Sequence, residues 1–156
     1  MAVGAVLRQQ RMDVLGEGGC VCGAVRFRVK DAPLRTSACH CRFCQRRTGS
    51  AFGIGAYFRE ADVEMLGGAL GTYEHRSDET QRWMRLQFCP RCGTTLTWTL
   101  EALPGMRAIA GGCFDDPTWF RIERHAWLRS AHPWVAVPAG VESFERGSLP
   151  EPGKPR

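Results

Sequence analysis

Apolar and basic positions alternate between residues 24 and 30. Val25, Phe27 and Val29 fall on one side, Arg26, Arg28 and Lys30 on the other. A period of two predicts a half-buried strand. Residues 51–58 are apolar and aromatic but broken by Gly53 and Gly55, which fits a strand that lets another group approach its backbone. Residues 63–66 and 72–75 flank GGALG and read as a hairpin. Residues 83–88 alternate again, 94–100 form a Thr-rich strand, and 106–111 and 124–128 are two more strands separated by the turn-rich FDDP. In between, GEGG at 16–19 reads as a turn, 31–36 as a Pro-containing loop, and 39–47 as a knuckle with one helical turn. Strands spaced by turns every 8–12 residues or so predict an all-β domain. Residues 1–11 are expected to be a flexible N-terminus, 12–146 a single folded domain, and 147–156 a flexible tail.

Composition narrows this picture. With 156 residues, 44% hydrophobic and 24% charged, the chain can bury a core without staples, which excludes a wholly disordered, collagenous or coiled-coil chain. The 18 Gly and 9 Pro favour short elements. No apolar run approaches the roughly 20 residues that span a bilayer, so no membrane role is expected. The first 19 residues lack the apolar core of a signal peptide, so the expected location is cytoplasmic. The net charge is +5, and every basic residue except Lys30 and Lys154 is Arg. These Arg residues are scattered singly, so nucleic acid is not the expected partner. The nearest approach to a patch is Arg42, Arg46 and Arg47, which suits a small anionic ligand better. A homodimer is left open.

Eight cysteines change the reading most. They fall as Cys20-x-Cys22, Cys39-x-Cys41-x-x-Cys44, Cys89-x-x-Cys92 and a lone Cys113. Thiols one or two residues apart bridge each other poorly but can share one metal ion. In a reducing compartment they persist as thiols. In FCPRCGT at 88–94, Pro90 fixes a tight turn, and Gly93 allows the backbone conformation that turns amides toward sulfur. Seven clustered thiols therefore point to zinc.

Four blocks, GGCVCGAVRFRV (18–29), ACHCRFCQRRTGSAFG (38–53), FCPRCGTTL (88–96) and GCFDDP (112–117), resemble the glutathione-dependent formaldehyde-activating enzyme family, which includes centromere protein V. The likeness continues through His125-Ala-Trp127, Pro133-Trp134 and GVESFERG, covering about residues 15–147. It implies an Mss4-like, tent-shaped all-β fold with zinc knuckles, short helical turns and two Zn2+ per chain. By that analogy Cys20, Cys22, Cys89 and Cys92 form a closed structural site. Cys39, Cys41 and Cys44 hold a second, catalytic zinc with an open fourth position. Spacing alone leaves another grouping open, in which Cys41 and Cys44 join Cys89 and Cys92 as a zinc ribbon.

The resemblance further implies a carbon–sulfur lyase or synthase that joins a thiol such as glutathione to formaldehyde or a related aldehyde, giving an S-hydroxymethyl adduct. Glutathione carries two carboxylates, and Arg42, Arg46 and Arg47 are the candidate partners. A non-catalytic zinc module for a macromolecular partner is the alternative, although residues 1–11 carry only Arg8 and Arg11 as a basic arm. A metal-buffering or redox-sensing protein is a third. His40, lying between two ligands, is expected at the surface or on the backbone. His75 and His132 are expected to be exposed, and His125 to be a core histidine. Cys113 is expected to be a small buried residue, and Trp98, Trp119, Trp127 and Trp134 to be core.

Overall fold

A computed structural model of the chain describes residues 14–149. The expected flexible N-terminus, and the expected tail beyond residue 149, lie outside them. The fold is all-β, with one short helix and three single 3-10 turns among the described residues. β1 (Gly16–Gly19), β2 (Arg26–Val29) and β5 (Val63–Leu66) form a small antiparallel sheet in the order β1-β2-β5. An eight-stranded sheet takes β3 (Arg35–Cys39), β4 (Gly53–Arg59), β6 (Gly71–Arg76), β7 (Trp83–Phe88), β8 (Thr95–Leu100), β9 (Met106–Ala110), β10 (Arg124–Ala126) and β11 (Glu142–Ser143). Its order is β11-β10-β3-β4-β9-β8-β7-β6, and the β11–β10 and β10–β3 pairs are parallel while the rest are antiparallel. The helix, α1, is Arg42–Thr48.

The alternation in residues 24–30 places Val25, Phe27 and Val29 fully inside. They pack with Ala56, Phe58, Leu96, Ile109 and Phe114 between the two sheets. Burying a side chain such as Phe27 contributes about 2–3 kcal/mol. The opposite face of the large sheet carries a second cluster of Leu86, Trp98, Leu100 and Ala108, covered by Phe43, Tyr57 and Leu149. Leu96 and Trp98 share a parity yet serve different faces. The ladder slips between Gln87 and Phe88, so Phe88 pairs with Thr95 and Gln87 with Thr97. Leu96 is the extra residue of this bulge and turns inward.

Several expected elements differ. GEGG is strand β1, not a turn, because its glycines serve close approach: a Cβ on Gly18 would lie 2.1 Å from the Cys113 carbonyl oxygen. The expected loop at 31–36 includes the start of β3, a central strand flanked by β10 and β4. Its polar residues disguise it. Arg35 donates to the Ser148 carbonyl and hydroxyl, and the Thr36 hydroxyl donates to the Arg121 carbonyl. Residues 63–66 and 72–75 are strands but not a hairpin. β5 pairs with β2, placing Met65 opposite Phe27, and β6 pairs with β7. The left-handed Gly67 and Gly68 carry the chain from one sheet to the other. Trp134 is 73% exposed rather than core.

Candidate metal centres and pocket

Two turns of the same construction bring four cysteines together. In the β1–β2 turn, Cys20 N donates to Val25 O and Gly23 N to Cys20 O. In the β7–β8 turn, Cys89 N donates to Thr94 O and Gly93 N to Cys89 O. Gly23 and Gly93 both adopt left-handed φ, at 76° and 75°, a conformation glycine enters without a steric penalty. Each turn therefore leaves two sulfurs on one side. Cys20 Sγ lies 3.6 Å from Cys22 Sγ, and Cys22 Sγ lies 3.7 Å from Cys89 Sγ. All four sulfurs fall within 4.8 Å of one another. Val25 N donates to Cys20 Sγ at 3.3 Å, and the Thr94 hydroxyl, 3.2 Å from Cys92 Sγ, brings that thiol down to about 5. Cys20 and Cys89 are buried in the main core, while Cys22 and Cys92 face solvent.

Cys39 ends β3, Cys41 caps α1, and Cys44 lies within it; their sulfurs also gather within 4.8 Å. Cys41 Sγ accepts from Cys44 N at 3.4 Å. Hydrogen bonds from the Cys39 and Cys44 thiols, with backbone N–H of Cys44 and Phe43, push the Cys41 thiol down to about 3. Cys39 is held well above its usual value by its contacts with Cys41 and Cys44 and by burial. Sulfurs this close oppose one another's ionisation, and a cation held among them would let all three ionise together. That donor set fits a soft metal ion, as does the four-sulfur set. Cys41 and Cys44 group with Cys39, not with Cys89 and Cys92. Cys113 joins neither group: it packs on the core, its thiol lies 3.7 Å from Thr95 O, and burial raises it to about 11.

The turn carrying Cys39 and Cys41 is braced by residues the sequence reading undervalued. His40, expected at the surface or bonded to backbone, is completely buried and its ring meets another side chain. Its N–H donates to Ala126 O, its ring Nε2 lies 2.9 Å from His125 Nδ1, and its carbonyl accepts from Gln45 Nε2 at 2.8 Å. Gln45 Nε2 also donates to Ser130 O. His125 is buried, as expected of a core histidine, and burial lowers the pKa of both imidazoles. His75 and His132 are half-buried rather than exposed, stacked on Phe43 and Trp134.

The three arginines separate. Arg42 is exposed and donates to Gln45 Oε1. Arg46 is exposed and makes no hydrogen bond or ion pair among the described residues. Arg47 lies with its guanidinium 4.4 Å from the centre of the Trp98 ring. It lines a cavity of about 370 Å³ formed by the end of α1, Phe52, Ile54, the 93–95 turn and residues 110–112. This cavity lies one helical turn from Cys44 and borders the four-cysteine knuckle.

A family model described as glutathione-dependent formaldehyde-activating enzyme matches residues 16–130. A Halomonas elongata protein named after that enzyme is 33% identical over 129 residues, covering 80% of this chain and 82% of its own. A crystal structure of a Rhodobacter sphaeroides protein is similar with a TM-score of 0.51 and 27% identity, covering 64% of this chain and 87% of that one.

Proposed function

Because the chain belongs to the glutathione-dependent formaldehyde-activating enzyme family, we propose that it joins a thiol to formaldehyde or a related aldehyde at the three-cysteine cluster. The observation that carries this reading is a three-sulfur donor set, with no fourth ligand grouped among the described residues, one turn from a cavity. Cys20, Cys22, Cys89 and Cys92 would hold a structural zinc, since four thiolates leave no vacancy. Cys39, Cys41 and Cys44 would hold a second zinc, which supplies the Lewis acidity that lowers the pKa of an incoming thiol.

The chain's own residues do the rest. Arg42, Arg46 and Arg47 place positive charge along α1 for an anionic thiol such as glutathione. Phe52 and Ile54 give the cavity an apolar wall that keeps water from the adduct. Held in that cavity, the thiol sulfur forms a bond to the aldehyde carbon. The carbonyl π pair moves to oxygen, and the thiol proton ends there, so an S-hydroxymethyl alcohol forms with no other reactant. Holding the two molecules together supplies the orientation that an encounter in solution lacks. This is carbon–sulfur lyase or synthase chemistry, and thiols of this kind belong to a reducing compartment such as the cytoplasm.

The test is exchange spectroscopy by NMR on zinc-loaded protein with glutathione and formaldehyde. We expect faster interconversion of free and adduct glutathione, abolished by Cys41→Ser. With cobalt(II) in place of zinc, glutathione should strengthen the sulfur-to-cobalt charge-transfer band. A spectrum unchanged by glutathione, cysteine and other small thiols would remove thiol activation as the function.

A further inference from the structure

Arg47 is the cation of this fold whose surroundings are least explained by the fold itself. Its Nε is buried with no hydrogen-bond partner, and no carboxylate, carbonyl or sulfur among the described residues accepts from its guanidinium. An Arg–thiolate pair does not account for it: Arg47 lowers the Cys44 pKa through space, but no sulfur lies within hydrogen-bond range. A desolvated Nε–H left without an acceptor is costly.

The protein nevertheless builds a cradle for it. Trp98 is 2% exposed and presents its face to the guanidinium, while its Nε1 lies 3.4 Å from the Tyr57 hydroxyl behind it. A Cβ on Gly53 would lie 2.7 Å from Arg47 Nη2, and one on Gly55 would lie 2.8 Å from Trp98 Cζ2. Gly53 opens β4, Gly55 lies within it, and neither has a positive φ. Glycine weakens a strand interior, and here conformation does not call for it; the room for the Arg47–Trp98 stack does. Stacking fixes the guanidinium plane and leaves its in-plane N–H donors to face an acceptor. The 370 Å³ cavity that Arg47 lines is where such an acceptor can enter.

We propose that Arg47, held over the Trp98 ring beside Gly53, is the carboxylate-reading residue of this cavity, so that the site selects thiols bearing a carboxylate. This rests on the thiol–aldehyde reading and sharpens it: Arg42 and Arg46 do not share the role, since one is bonded to Gln45 and neither lines the cavity. A single guanidinium matches the single charge of a carboxylate, and its fork fits two carboxylate oxygens side by side.

The experiment follows the Arg47 Nε–H resonance of the zinc-loaded chain, which lies over an indole ring and so should be shifted upfield. S-methylglutathione, which has carboxylates but no free thiol, should move it, as should 3-mercaptopropionate. 2-Mercaptoethanol, a thiol without a carboxylate, should leave it in place while still perturbing the cobalt-substituted cluster. Arg47→Gln and Arg47→Lys should each weaken 3-mercaptopropionate about 10- to 100-fold, the effect of losing a charge-assisted pair, and leave 2-mercaptoethanol unaffected. The proposal is overturned if carboxylates at saturation leave the wild-type resonance unmoved. Inorganic phosphate competing as well as the carboxylate would overturn it too, as would Arg47→Gln weakening both thiols equally, which would make Arg47 a counter-ion of the cluster. Failure of every thiol to perturb cobalt, with S-methylglutathione still moving Arg47, would sink the thiol reading and leave the carboxylate site standing.

Discussion

A single hydrogen atom in place of a methyl decides how several strands meet. Gly18 lies in β1, opposite Phe27 in β2 and bridged to Phe114 from a distant turn. Its missing Cβ would meet the Cys113 carbonyl oxygen, the Phe27 ring and the Phe114 Cα at 2.1, 2.5 and 2.8 Å. Two of these three atoms are backbone and cannot rotate away. Gly18→Ala should therefore behave as overpacking and destabilise by about 1–3 kcal/mol or more. Chemical denaturation of the purified variant measures this directly. A loss under about 0.5 kcal/mol, the range of ordinary surface changes, would mean that the 113–114 segment moves aside freely. Glycine composition alone does not distinguish this use from a turn, because both place Gly beside Gly. What separates them is the 113–114 segment bridged to Gly18, which lies nearly a hundred residues away.

At the scale of elements, the three-cysteine cluster depends on a segment that contributes no sulfur to it. α1 has seven residues, too few to persist alone. It is held by the Cys41 cap, by Phe43 against the second core cluster, and by Gln45. Both Gln45 amide hydrogens are used, on His40 O and Ser130 O, so the turn between two cysteines is tied to the chain that follows β10. Gln45→Leu keeps the helix and much of the volume but removes these ties. It should weaken metal affinity at this cluster about 10- to 100-fold, the usual effect of removing groups that orient ligands, and cost about 1–3 kcal/mol of stability for the carbonyls it leaves without a donor. Competition with a chromophoric chelator gives the affinity; an unchanged value would show that backbone bonds alone position the sulfurs. None of this was legible in the sequence, where Gln45 is one polar residue in a polar run. The strands whose outer faces meet water announced themselves by alternation, as β2 and β7 did. β3 did not, because it is buried on both faces and its Arg35 and Thr36 bond to Ser148 and Arg121, from the last third of the chain. The cysteine clusters were legible because each is local, although spacing left open which of them share an ion and only the family resemblance grouped Cys20 and Cys22 with Cys89 and Cys92; the His40–His125 contact spans 85 positions and leaves no local trace.

Across the whole molecule, the two cysteine groups join different parts of the chain, and the proposed function gives them different work. The four-cysteine group joins the β1–β2 turn of the small sheet to the β7–β8 turn of the large one, across 67 positions between Cys22 and Cys89. Cys20 and Cys89 belong to the main hydrophobic cluster between the sheets. A metal held there closes a long loop of the unfolded chain, and its binding energy is folding energy. The three-cysteine group comes from six consecutive residues and closes nothing. Cys89→Ser would also place a hydroxyl in a fully buried position, so Cys22→Ser is the cleaner variant: Cys22 is exposed, and its loss acts mainly through the metal. Cys22→Ser should lower the thermal midpoint by on the order of 10 °C or more, given about 2–4 °C per kcal/mol for a chain of this length. Cys44→Ser should shift it by only a few degrees while removing one of two bound metal ions, counted by native mass spectrometry. A strong chelator should erase the difference between wild type and Cys22→Ser, because both then lack the clip. Equal losses from Cys22→Ser and Cys44→Ser would contradict this division of labour and would place the three-cysteine group in the scaffold as well.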